Sequence, residues 1–140
     1  MGRRRRDERG SAAVEMAIVA PAVFLLLMLV IFAGRVTDAK QQVISAADAA
    51  ARAASLRSDE VSAMAAAEAA AEANLEDGGL TCTPATVEFE QLDLQPGGVV
   101  TVRVSCEADL AAVALPGIAD FQTFSAESTE VVDRFRGTGG

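Results

Sequence analysis

From Met16 to Gly34 the chain carries no charged residue, and the run MAIVAPAVFLLLMLVIFAG is apolar throughout. At about 1.5 Å per residue it makes a helix about 28 Å long, close to the roughly 30 Å of a bilayer's hydrocarbon core. Beyond it the pattern becomes periodic. Between Arg35 and Leu56 polar residues fall at Asp38, Gln42, Ser45, Asp48, Arg52 and Ser55, with Val36, Ala39, Val43, Ala46, Ala47, Ala50 and Ala54 between them. Steps of three and four in both series predict an amphipathic helix continuous with the apolar run. Its apolar stripe is mostly alanine, which suits close packing against the protein's own sheet or against a neighbour's helix. A second helix is predicted from Asp59 to Leu75, with Ser58 as N-cap, Asp59 and Glu60 at its positive end and Gly78-Gly79 as its stop. Glu68, Glu72 and Glu76 stack along it at i, i+4, a solvated face that could alternatively dock a basic partner.

After Gly79 the period falls to two. In VVTVRVSC, Val100, Val102, Val104 and Cys106 alternate with Thr101, Arg103 and Ser105, and LTCTPATVEFEQLDL precedes it across the Pro96-Gly97-Gly98 turn. The two segments predict a hairpin. ADLAAVALP reads as a helical turn ending at Pro116-Gly117, Phe121 to Val132 as a third strand, and GTGG as a disordered tail. The fold class is α+β, with a single N-terminal transmembrane helix extended into an amphipathic helix and packed on a small antiparallel sheet. The expected organisation is a basic leader over 1–10, a membrane segment over 11–34, an exported domain over 35–136 and a tail over 137–140.

The net charge of −8 conceals a split that gives this layout a direction. Arg3 to Arg6 and Arg9 precede the apolar run, whereas Arg35 and Lys40 alone follow it closely, among acidic and polar residues. The positive-inside rule then puts the N-terminus in the cytoplasm and the C-terminal domain outside. Cys82 and Cys106 both lie in that outer part, where two thiols usually pair. Their bridge would close a loop of about 25 residues, worth roughly 3 kcal/mol in the chain-entropy model. Two buried free thiols are the alternative.

Catalytic chemistry finds little support. With no His, the usual triads and most transition-metal sites are excluded, and no catalytic residue, metal ligand or cofactor is assigned. Glu88, Glu90 and Asp93 gather near the hairpin but lack the spacing of a calcium loop. The exported part has no basic patch, which argues against nucleic acid as a partner.

Three readings compete for the apolar segment. A cleaved secretory signal would have a shorter core and a small-x-small site, and RVTDAKQQ after Gly34 is a poor match. A plain anchor explains the length and the flanks, but not the carboxylate of Glu15 at the mouth of the run. An ionised group at membrane depth costs several kcal/mol unless it is paired or snorkels to the surface. Pro21 removes a helix hydrogen bond and favours a kink, which neighbouring helices can accommodate. The third reading takes Gly10 and Glu15 together. The stretch R-G-S-A-A-V-E is similar to the processing site of type IV pilins and pseudopilins, which a prepilin peptidase cuts on the cytoplasmic side after a glycine, leaving a glutamate as the fifth mature residue. Cutting between Gly10 and Ser11 would create an ammonium at Ser11 able to pair with Glu15, on a neighbouring subunit or on the same helix.

The longer segment G-S-A-A-V-E-M-A-I-V-A-P resembles the TadE-like family, small pseudopilin-like proteins of the tight-adherence (Tad, Flp-type) pilus system. Gly10, Val14, Glu15, Met16, Ala17, Val19 and Pro21 fit its G-x-x-x-V-E-F/M-A-L/I-V-x-P pattern, and LPGIADFQTFSAESTEVVDRFR is similar to the family's closing segment. The resemblance implies a pilin-like fold and a structural, non-enzymatic role as a minor pilin or pseudopilin in pilus assembly. It also implies as partners the membrane, the prepilin peptidase, other pilins or pseudopilins and the Tad membrane platform proteins. The alternative is an uncleaved single-span anchor with an accessory or ligand-sensing outer domain.

Overall fold

The computed structural model describes residues 4–109 and 121–135. Its first element, α1, is one unbroken helix from Arg4 to Ser55 that runs through Pro21. At the rise of an α-helix its 52 residues extend about 78 Å. The apolar run and the alanine-striped segment are thus two halves of one rod. In the first half no residue of the most apolar window is buried. In the second half Ala39, Val43, Ala46, Ala47, Ala50, Ala51 and Ala54 are buried, each at most 3% exposed.

Arg57 N–H donates to the Ala54 carbonyl at 3.0 Å and ends α1, and the chain turns back into α2, Glu60–Asp77. The N-cap of α2 is Asp59 and not the expected Ser58. Asp59 has the extended backbone a cap needs, and its Oδ1 accepts the Ser62 N–H at 2.9 Å, a donor that has no partner inside the first turn. The two hydrogen bonds from Ser62, side chain first and backbone second, hold the Asp59 carboxyl below its ordinary value. At the other end the stop falls where the sequence places it. Gly79 takes a left-handed φ of 74°, and Leu80 N–H reaches back to the Leu75 carbonyl at 3.0 Å, closing the last turn.

Ala63, Ala67, Ala71 and Leu75 repeat every fourth residue along α2 and are buried on one face. They meet the alanines of α1, so the stripe is covered within the chain itself. Small side chains let the two helices approach closely but remove little apolar area from water. A buried methylene contributes about 0.8 kcal/mol, against about 1.5–3 kcal/mol for a whole Val or Leu side chain.

The larger side chains come from the sheet, an antiparallel meander in the order β1 (Cys82–Leu92), β2 (Val99–Asp109), β3 (Phe121–Val131). On the central strand Val100, Val102, Val104, Cys106 and Ala108 point at the helices and are fully buried. Phe124 and Val132 add to the same core. β2 and β3 pair without interruption from Val99↔Val131 to Asp109↔Phe121. The β1–β2 pairing slips twice, between Cys82 and Ala85 and between Phe89 and Gln91. Pro84, which has no N–H to give a ladder, lies within the first slip. In the β1–β2 turn Gly97 has a φ of 83°, and a side chain at Gly98 would collide with the Asp93 carbonyl. The Gly98 carbonyl accepts Val132 N–H at 2.9 Å, tying the end of β3 to this turn.

The architecture is α+β, a long N-terminal apolar helix with a three-stranded antiparallel sheet. The expected helical turn over ADLAAVALP is corrected at its start, since Ala108 and Asp109 complete β2. Their alternation continues the strand, and both pair with β3. The rest of that turn and the tail lie outside the described residues.

Candidate functional site

Gly10 lies on the exposed surface of α1, and a side chain added there would meet nothing within 4 Å. Ser11 follows it on the same helix. Five residues on from Gly10, at about 7.5 Å along the axis, comes the carboxylate of Glu15. Its surroundings are apolar and outward-facing: Val14, Met16, Ile18 and Val19 are all exposed, Ile18 at 69%. Pro21 lies one and a half turns further along, also exposed. This arrangement does not fit water. Leu25, Leu26, Leu27, Leu29 and Ile31 continue the exposed surface, and the core helix of a soluble protein would have them buried. The physical solvent for such a surface is a bilayer or a bundle of like helices.

Further along the chain, at the end of the sheet that lies beside Arg35 and Asp38, Cys82 and Cys106 are at disulfide-bonding distance, Sγ to Sγ 1.97 Å with Cα atoms 5.1 Å apart. Cys106 faces the core, and Cys82 begins the edge strand where the register is slipped. The bridge joins β1 to β2 beside the first of the two register slips.

The acidic trio at the hairpin is divided among separate duties. Glu90 contacts Arg103 at 3.0 Å, and Arg103 reaches across β3 to Glu127 at 2.9 Å. Glu88 pairs opposite Arg103 in the ladder. Asp93 caps the turn, accepting Gln95 N–H at 3.1 Å. The hydrogen bond to Glu127, followed by the charge of Glu90, raises the pKa of the Arg103 guanidinium. Arg103 was visible in the sequence only as a polar position in an alternating strand. Its place as the hub of the outer sheet face depends on two partners far away in the chain. Among the described residues no three Cys, Asp or Glu side chains come together as a metal cradle. Glu68 and Glu72 line one side of an open groove of about 570 Å³ between α2 and β1, whose floor includes Leu75, Val87 and Val104.

Fold and segment together define a class: an α+β protein built on one long helix, apolar enough over its first half to cross a membrane and compatible with a single-pass protein. Residues 10–52 match the model of the TadE-like protein family. The match takes in Gly10, Glu15, Pro21 and the buried stripe as far as Ala51. It ends inside α1, so α2 and the sheet lie outside it. No curated protein and no solved structure matches the chain.

Proposed function

We propose that this protein is a structural, non-catalytic pseudopilin or minor pilin of a Tad-type pilus machine. Its leader stays in the cytoplasm, α1 crosses the membrane once, and the α+β domain stands outside. The observation that carries the reading is the coincidence, on one helix, of the Gly10/Glu15 pattern within the family match and a fully exposed apolar surface directly after it. A prepilin peptidase cuts between Gly10 and Ser11. The new ammonium at Ser11 then offsets the cost of placing the Glu15 carboxylate among apolar side chains, either within the helix or across to a neighbouring subunit. Other pilins or pseudopilins and the membrane platform of the machine are its partners. The disulfide between Cys82 and Cys106 secures the outer domain in an oxidising compartment.

Mass spectrometry of the mature N-terminus, on protein extracted from its native membrane, tests this directly. A chain beginning at Ser11 is expected, and Glu15→Ala is expected to impair its recruitment into the assembly. A chain that keeps its arginines would instead make the protein an uncut anchor with an accessory or ligand-sensing outer domain.

A further inference from the structure

We infer that the lower end of the exported domain is seated in the lipid headgroup layer, with Phe121 as its leading side chain. The inference rests on the membrane-span reading above. The apolar run ends at Gly34. Asp38 is four residues further along α1, about 6 Å on. A bilayer's headgroup layer is about 5–7 Å deep on each side, so whatever packs beside Arg35 and Asp38 lies within it. The sheet packs there. Asp109, the last residue of β2, lines the same recess as Arg35 and Asp38. Opposite Asp109 in the ladder is Phe121, the first residue of β3. Paired Cα atoms in an antiparallel ladder are about 4.5–5.5 Å apart, which sets Phe121 beside that recess.

Two further observations agree. Phe32, inside the apolar run itself, is half-buried and packs against the core of the domain, as does Val36, so no stalk separates the domain from the span. Phe121 also departs from the row it starts. The outward side chains that follow it, Thr123, Ser125, Glu127 and Thr129, are polar, whereas Phe121 is 56% exposed, and the row turns apolar again at Val131, at the other end of the strand. An exposed aromatic at the level where a helix leaves the hydrocarbon is suited to a lipid interface, with Arg35 free to extend its charge outward.

The chain holds no tryptophan, so a single introduced one reports on its own surroundings. Phe121→Trp, Phe135→Trp and Leu27→Trp can each be reconstituted as the full chain in phosphatidylcholine vesicles with bromine on the upper acyl chains. Phe135 is 94% exposed and lies past Val132, at the far end of β3, which makes it the control. Phe121→Trp is expected to emit at shorter wavelength than Phe135→Trp and to lose most of its emission in the brominated vesicles, while Phe135→Trp keeps its own. Water-like emission from Phe121→Trp, or blue-shifted emission that bromine leaves intact, overturns the seating. Leu27→Trp separates the two readings. If it is quenched while Phe121→Trp is not, the span stands and the seating falls; if it is not quenched, both fall.

Discussion

Val23 and Val43 are the same residue on the same helix, yet Val23 is 48% exposed and Val43 is 1% exposed. From Met16 to Ile31 α1 is apolar on every side, and no residue of its most apolar window is buried. The second half is apolar on one stripe and has that stripe covered by α2 and the sheet. One half obtains its solvent from outside the molecule and the other from within it. A helix apolar all round is matched to a lipid or helical environment, and a helix with a single apolar face is matched to a small protein core.

Substituting the two valines tests this contrast most severely. Val43→Asp places a charge in the core without a partner and is expected to cost about 3–5 kcal/mol, enough to unfold the outer domain. Val23→Asp is expected to leave that domain's thermal transition in place and instead to weaken insertion by about 2.5–3.5 kcal/mol. Circular dichroism melts of the full chain in detergent read the first effect, and carbonate extraction from membranes reads the second. If both variants lost the same property, the two halves of α1 would not be distinct.

Next in size is the bridge. The covered half of α1 contributes mostly alanine methyls to the core, so the outer domain should depend on its covalent link more than a Leu-rich core would. Reduction, or the double change Cys82→Ser with Cys106→Ala, is expected to lower the domain's stability by about 2–4 kcal/mol while the apolar half stays helical. Denaturant titration with and without reductant measures it. Free thiols at both positions in the exported protein, found by alkylation, would remove the basis of this expectation.

The smallest effect belongs to the cap of α2. The Asp59 carboxyl is held below its ordinary value of 3.8 by Ser62, so its contribution to stability is fully present above that value and is lost as pH falls through the lower folded value. Asp59→Ala should therefore lower the melting temperature slightly at neutral pH and not at strongly acid pH, whereas Ser58→Ala should change neither. Melts of the outer domain in the full chain at the two pH values check the sign.

Much of this was legible in the residues. The uncharged run, the three-and-four spacing after Arg35, the Gly78-Gly79 stop and the alternating valines of β2 each reflect a local rule, since helix and strand periods are properties of a few neighbouring residues. The Gly10 to Glu15 pattern is equally local, and it lies within the family match. Readings failed where two rules competed. Ser58 and Asp59 are both good caps, and only the chain's turn out of α1 decides which backbone is extended at the start of α2. Ala108 and Asp109 lean helical by composition, and pairing with β3 overrides that lean.

Sequence alone therefore determined most of the elements, the split of charge on either side of the apolar run, and the segment that carries the pilin-type pattern. Tertiary structure decided which stripe is covered, and by what. The alanines of α1 could serve a neighbour's helix as well as the chain's own sheet, and they are buried within the chain, against α2 as well as the sheet. Tertiary structure also joined Arg103 to Glu90 and Glu127, and paired Phe121 with Asp109, which shares a recess with Arg35, because such proximities depend on strand order and register and not on distance along the chain.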